Sequence, residues 1–252
     1  VKRGVALLAA VGLLAGCGGG ESSGGSSGTS GTLTVFAAAS LADVFTELGE
    51  ELEETNPGLD VRYTFAGSSA LATQLVQGAP ADVFAAANEA QMAVVTGEGL
   101  AEQPDVFAAN VLQIAVPAGN PAGVTGLRDL AREELAIALC APEVPCGEAA
   151  EQVLAAAGVT AAPDTLEQDV RAVATKVRLG EVDAGLVYAS DVAGAGGDVE
   201  GIPVPEAEEV VNEYPVCVLD GAPNPDAARA FVDLLLSERG RRALADAGFR
   251  EP

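Results

Sequence analysis

The sequence predicts an α/β fold of mostly parallel sheets flanked by helices, divided into two lobes. Short β-type runs alternate with longer stretches of helical period from Leu33 to the C-terminus. Parallel neighbours need crossover helices, and this alternation supplies them. About 220 residues of such units exceed one comfortable sheet, so two smaller lobes are expected. The alternation does not say where the chain crosses between them, and no internal repeat is evident.

Leu33 to Ala39 reads as the first strand. Leu41 to Glu54 reads as an amphipathic helix with Leu41, Val44, Phe45, Leu48 and Leu52 on one face. Asp60 to Ala66 is a second strand, followed by a helix from about Ala70 to Gln77. Gly78-Ala79-Pro80 breaks that helix before a third strand, Asp82 to Ala87. Val111 to Pro117 and Leu135 to Ala141 are further apolar runs, while Glu148 to Ala157 and Val170 to Leu179 return to helical period. Ala184 to Tyr188 and Tyr214 to Leu219 are strand-like. Asp226 to Leu236 and Glu238 to Ala247 make a helical C-terminus, which Gly248 ends.

Ahead of these elements, Lys2 and Arg3 precede an uncharged run from Val5 to Ala15. That run falls short of the roughly 20 residues of a membrane span and suits the core of a signal peptide. It ends in Leu14-Ala15-Gly16-Cys17, which resembles the lipobox of bacterial lipoproteins, where cleavage precedes a cysteine that carries diacylglycerol. An ordinary secretory leader with an incidental cysteine is the competing reading. Residues 1–16 are thus expected to be a lipoprotein signal peptide, and residues 17–32 the lipidated Cys17 and a flexible Gly/Ser linker. The implied location is the extracytoplasmic face of the cell membrane, with contact to the membrane through the lipid anchor only.

About half of the chain (49%) is apolar and only 4% is aromatic, without Trp, so the core must be built from Ala, Val and Leu. Against 13 Lys plus Arg stand 37 Asp plus Glu, a formal net charge of −24. Such a surface repels nucleic acid and anionic lipid, and it repels small anions at long range. A bound anion would have to be held by short-range dipoles. The chain has no His, which removes the commonest general base, proton shuttle and metal ligand. Hydrolase and metalloenzyme readings weaken at once, and no catalytic residue or cofactor is assigned.

Cys140 and Cys146 flank the loop Ala141-Pro142-Glu143-Val144-Pro145 and could close it as a disulfide outside the cytoplasm. Cys217 sits in an apolar run and reads as a buried free thiol. A metal site is the competing idea, but three cysteines without His or a CxxC spacing argue against it.

In open parallel sheets, ligands bind beyond the carboxyl ends of strands, where helices begin. Four such junctions stand out. Ala37-Ala38-Ala39-Ser40 runs into a helix with Asp43 three residues on, a capping-box-like start. Ala66-Gly67-Ser68-Ser69, Pro145-Cys146-Gly147 and Asp169-Val170-Arg171 each open a further helix. Every junction supplies backbone N–H groups with no intrahelical partner and the positive end of a helix dipole. Gly67 and Gly147 would let the backbone approach a ligand closely. Plain structural readings exist for all of them: Ser40 and Ser68 as N-caps, Gly147 as a turn residue, Arg171 paired with Asp169. Tyr188, taken alone, is a core residue with its hydroxyl satisfied.

A family resemblance joins these pieces. Thr34-Val35-Phe36-Ala37-Ala38-Ala39-Ser40-Leu41 resembles the opening strand and anion loop of the periplasmic molybdate-binding proteins, the substrate-binding subunits of molybdate and tungstate ABC importers. Phe65-Ala66-Gly67-Ser68-Ser69 is similar to the family's second serine loop, and Gln77-Gly78-Ala79-Pro80-Ala81-Asp82-Val83-Phe84 to its G-A-P-A-D segment. Asp169-Val170-Arg171, then Gly185-Leu186-Val187-Tyr188-Ala189-Ser190-Asp191, then Glu213-Tyr214-Pro215-Val216 follow in family order. The likeness covers Leu33 to Phe249.

The resemblance implies a type II periplasmic-binding-protein fold, two α/β lobes joined by two crossover strands with the ligand cleft between them. Lobe I would be residues 33–110 plus 214–252, and lobe II residues 111–213. Ser40 and Ser68 match two serines that give hydroxyl and amide hydrogen bonds, Val170 an amide donor, and Tyr188 a phenol donor. The remaining family donor is commonly an alanine amide in a P-A-G turn. Here Cys146 takes that place, which an amide contact tolerates; the change bears on the loop's flexibility. Ala39, Ser69 and Gly147 would support these loops. The ligand implied is molybdate or tungstate, bound through its own oxygens with no protein ligand on the metal, and the partner implied is the importer permease. A monomer is expected.

A dianion in a closed cleft must exchange its water for fixed donors. Roughly seven hydrogen bonds at ~1.5–3 kcal/mol each could hold it once desolvation and closure are subtracted. Donors alone disfavour protonated oxyanions such as phosphate, whereas sulfate must be rejected by size. A binding protein for another oxyanion such as sulfate is therefore the nearest alternative. A ferric site would need clustered carboxylates or tyrosines, and an acyl-transfer enzyme a base beside Ser40 or Ser68. A purely structural lipoprotein would leave the four junctions and Tyr188 without a role.

Overall fold

The computed structural model describes residues 29–252; Cys17, the leader and the linker up to residue 28 lie outside the described residues. β1 (Ser30–Ala38) runs into a 3-10 turn at Ala39–Leu41 and then α1 (Ala42–Thr55). β2 (Gly58–Ala66), α2 (Ser68–Val76), β3 (Val83–Ala85), α3 (Glu89–Gly97) and β4 (Asp105–Asn110) follow. The chain then crosses into a second sheet through β5 (Leu112–Pro117), β6 (Ile137–Cys140), α4 (Pro145–Ala156), β7 (Thr165–Glu167) and α5 (Val170–Arg178). β8 (Ala184–Tyr188), α6 (Ala189–Gly194) and β9 (Val199–Pro203) complete it. The return is by β10 (Asn212–Val218), and α7 (Pro225–Leu236) and α8 (Glu238–Asp246) end the chain.

The two five-stranded sheets have the orders β2-β1-β3-β10-β4 and β7-β6-β8-β5-β9. Both are mixed, which departs from the mostly parallel sheets expected. β1 pairs in parallel with β2 and β3, and β6 with β7 and β8. β10 is antiparallel to β3 and β4, and β5 to β8 and β9. The crossings cause this: β4 leaves the first sheet where β10 re-enters it, so the two neighbours run in opposite senses. Asn212 and Glu213, expected to end lobe II before the return crossing, already pair with Asn110 and Ala109 of β4.

Burial follows the sequence periods. Leu41, Val44, Phe45, Leu48 and Leu52 are all buried, as one apolar stripe of a helix requires. In β1 and β3 successive side chains point to opposite faces: Val35 and Val83 join Phe45 and Phe231 in one core, while Phe36 and Phe84 join Leu71 and Met92 in another. A third core, around Leu112, Ile114, Ile137, Val153 and Val173, fills the second lobe. Asp82, the acid of the G-A-P-A-D segment, is buried and structural. Its Oδ2 accepts from the Thr34 N–H at 2.7 Å and its Oδ1 from the Asn224 N–H at 2.5 Å, which ties β1 to the start of α7. Among the described residues no helix is long and apolar enough to cross a membrane.

Candidate functional site

Three helix starts and one 3-10 turn converge on a single small cavity between the sheets. Ser40, Ser68, Cys146, Val170, Tyr188 and Ala39 all line it, with Gly67, Pro145 and Asp169 beside them. Its volume, about 20 Å³, leaves room for a guest of a few atoms and too little for a sugar or peptide. Ser69 and Gly147 are not at the lining.

Each helix start leaves chosen N–H groups unspent. In α4, Pro145 has no N–H, and those of Gly147 and Glu148 both reach the Val144 carbonyl, at 2.9 and 3.0 Å. The Cys146 N–H is the donor of that turn left over. In α2, the Ala70 and Leu71 N–H groups bond to the Gly67 carbonyl, at 3.0 and 3.2 Å, leaving those of Ser68 and Ser69. In α5, the Asp169 side chain accepts from the Ala172 N–H at 2.9 Å, leaving that of Val170, the first residue of the helix. The positive ends of three helix dipoles therefore face the same few ångströms of space.

The hydroxyls complete the donor set. Ser68 Oγ accepts from the Ala87 N–H at 3.0 Å, so its proton is free for the cavity. Ser40 Oγ lies 3.0 Å from the Tyr214 hydroxyl. Tyr188 is 1% exposed and its hydroxyl has no hydrogen-bond partner among the described residues, contrary to the plain reading of a satisfied core tyrosine. Burial pushes its ionisation well above the usual phenol range, so it remains a donor. A buried polar group without a partner carries a desolvation cost that a ligand would relieve.

Several local expectations are corrected. Ser40 is not a helix cap: it sits inside the 3-10 turn, Ala38 is the extended residue before that turn, and no side-chain cap bond forms. Asp43 is consequently no capping-box partner; it takes Arg171 from the other lobe. Arg171 does not pair with Asp169, whose Oδ1 is occupied by the Ala172 N–H. Gly147 serves packing and not ligand approach, since a Cβ there would stand 1.8 Å from the Ala141 carbonyl oxygen. A Cβ on Gly67 would meet the Gln168 carbonyl oxygen at 2.3 Å, so this glycine lets the two segments approach closely here.

Cys140 and Cys146 are disulfide-bonded, with Cα atoms 5.7 Å apart, which closes the loop leading into α4. Cys217 is a buried free thiol away from the cavity, pushed up to about 12 by burial. Among the described residues no Lys or Arg lines the cavity. Among the described residues no three His, Cys, Asp or Glu side chains are grouped to hold a metal ion. The arrangement presents donors without a base or a nucleophile in an activated pair. It can bind a compact acceptor such as an oxyanion, and it offers no route for acid–base chemistry. Sequence reasoning missed Tyr214, which it placed in a strand and a motif without a role for its hydroxyl.

The chain matches the family described as bacterial extracellular solute-binding protein over residues 33–250. It is 45% identical over 222 residues to the molybdate-binding protein ModA of Mycobacterium tuberculosis, covering 88% of this chain and 85% of that protein. To the putative ABC transporter substrate-binding lipoprotein YvgL of Bacillus subtilis it is 30% identical over 261 residues, covering 97% of this chain and 96% of that protein. The fold is similar to the periplasmic molybdate-binding protein of Azotobacter vinelandii, with a TM-score of 0.75 at 20% identity, covering 87% of this chain and 99% of that one.

Proposed function

Since the chain belongs to the bacterial extracellular solute-binding proteins, we propose that it captures molybdate outside the cytoplasm and delivers it to an ABC importer. The observation that carries this reading is the unpartnered Tyr188 hydroxyl, aimed with two serine hydroxyls and three helix starts at one cavity of about 20 Å³. The likeness to the mycobacterial molybdate-binding protein supports the choice of anion. Ser40, Ser68, Cys146, Val170 and Tyr188 are the proposed contacts, each donating to an oxygen of the anion. Tungstate, of the same shape and charge, should bind too. Sulfate is smaller, and a cavity that closes on the larger anion leaves its oxygens short of the donors.

In this reading residues 33–110 and 214–252 form one lobe and residues 111–213 the other, and they close over the anion by a hinge motion. The protein acts as a monomer that docks on a permease. Lipidation at Cys17 is supported by the Leu14-Ala15-Gly16-Cys17 sequence and by the name of the Bacillus relative.

A thermal-shift panel of molybdate, tungstate, sulfate, phosphate and ferric citrate tests the assignment. Stabilisation should grow as RT ln(1 + [L]/Kd) for molybdate and tungstate only. Stabilisation by sulfate alone would move the assignment to that anion, and a flat panel would remove it.

A further inference from the structure

We propose that Tyr214 is a positioning residue that sets the polarity of Ser40, and through it the selectivity of the cavity against oxyanions that carry a hydroxyl. The proposal rests on the oxyanion reading above and deepens it.

Tyr214 is fully buried and does not reach the cavity. It lies in β10 where the ladder to β4 shifts register, between Tyr214 and Pro215. Its ring is held edge-on by Phe249 at 5.4 Å, Tyr188 at 6.0 Å and Phe107 at 6.3 Å, which fixes where its hydroxyl points. That hydroxyl is 3.0 Å from Ser40 Oγ, and the Asn110 and Tyr188 side chains also lie close to it.

Burial raises the ionisation of Tyr214 far above the phenol range, so its oxygen always carries a proton to place. Ser40 Oγ is the acceptor at hand. With Tyr214 donating, one lone pair of Ser40 is occupied and the serine proton is left for the cavity. The same device recurs at Ser68, whose oxygen accepts from the Ala87 N–H. Both serines are thereby turned into donors. Asp169, the one carboxylate at the lining among the described residues, has its Oδ1 engaged by the Ala172 N–H. A guest's own O–H then meets donors where it needs an acceptor, an arrangement that leaves buried polar groups unpaired and discriminates strongly.

Removing the Tyr214 hydroxyl leaves the Ser40 hydroxyl free to rotate. Its oxygen can then turn to accept from hydrogen phosphate, and its proton is no longer directed at the cavity.

Calorimetric titration of wild type, Tyr214→Phe, Ser40→Ala and the double variant with molybdate and with phosphate at pH 8 tests this. Tyr214→Phe should weaken molybdate about tenfold in the wild-type background and less than about twofold in the Ser40→Ala background. It should also narrow the preference for molybdate over phosphate by about tenfold or more. Equal losses in both backgrounds, or an unchanged preference, would make Tyr214 merely structural and overturn the proposal alone. A wild-type protein that binds neither anion overturns the oxyanion reading as well. If Tyr214→Phe does not fold, the tyrosine Raman doublet of Ser40→Ala against wild type decides. A change marks the lost acceptor of Tyr214, and identical doublets overturn the proposal.

Discussion

Arg171 of α5 and Asp43 of α1 form a two-pronged ion pair from one lobe to the other, Nη1 to Oδ1 at 3.0 Å and Nη2 to Oδ2 at 3.1 Å. Planar bidentate pairing of this kind fixes geometry as well as charge. The side chains are 42% and 70% exposed, so the pair adds little to the stability of the fold. If the lobes close over the anion as proposed, its place between them would make it a clasp on the closed form. Asn88 and Glu148 make a second contact across the cleft, at 2.9 Å.

Replacing Arg171 with Ala should therefore leave the melting of the ligand-free protein within about 1 kcal/mol of wild type. Ligand release should be several-fold faster, because the closed form loses a clasp that the open form lacks. Stopped-flow tyrosine fluorescence measures that rate, and added salt should speed the wild type toward the variant.

Gly67→Ala addresses closure by sterics. The new methyl group would need the space of the Gln168 carbonyl oxygen, 2.3 Å away on the other lobe. The lobes should be propped apart with each fold intact. Affinity should drop at least about tenfold, equivalent to 1.4 kcal/mol. Small-angle scattering should show no compaction on adding ligand, and full compaction would refute the steric argument.

Tyr188→Phe should move stability and binding in opposite directions. The hydroxyl is buried without a partner, so removing it relieves a cost of order 1 kcal/mol in the empty protein. Denaturant unfolding without ligand should show equal or higher stability. Molybdate affinity should fall by about ten- to a hundredfold as a charge-directed hydrogen bond is lost.

Asp191 gives a pH signature. Its pKa is raised from 3.8 to about 7, first by burial, against the opposing pull of the Tyr188 N–H and Arg171. A folded pKa above the unfolded one means the native state holds the extra proton between those values. The contribution of Asp191 to stability is thus fully present below about pH 4, and it is lost as pH rises to about 7. Asp191→Asn keeps an acceptor for the Tyr188 N–H and removes the titration. Its stability relative to wild type should rise between pH 4 and pH 8 by about 1–2 kcal/mol, less than the whole shift implies because Asp191 keeps some contact with water. Urea melts across that range measure it, and a flat difference would contradict the assignment.

The Cys140–Cys146 link closes a short loop, with a sequence separation of 6. Replacing both residues with Ser should cost about 2 kcal/mol by the loop-entropy relation. Because Cys146 lines the cavity, affinity should fall as well, which titration of the double variant would register.

Legibility in the sequence followed the strength of local signals. α1 could be read because its five apolar positions recur at helical spacing, and β8 because all five of its residues are buried and apolar or aromatic. α3, with Met92 and Val95 alone buried, carries almost no periodic signal, and β7 is three residues long with none of them buried. β4, α6 and β9 were likewise too short or too mixed to stand out. Ser68, Cys146 and Val170 were readable as helix starts, since unpaired N–H groups follow from the helix itself. The Tyr214–Ser40 bond and the Arg171–Asp43 pair span 174 and 128 residues, and no local rule reaches that far.

By itself the sequence determined the alternation of strand and helix, the acidic balance that disfavours nucleic acid, and the positions where helices offer bare amides. Each is a property of a residue and its near neighbours. Tertiary structure alone decided that these amides meet in one cavity, that the sheets are mixed, and that Tyr188 lacks a partner while Ser40 has one. Those outcomes depend on how distant segments exclude water and saturate one another's hydrogen bonds, which is settled only when the lobes are packed face to face.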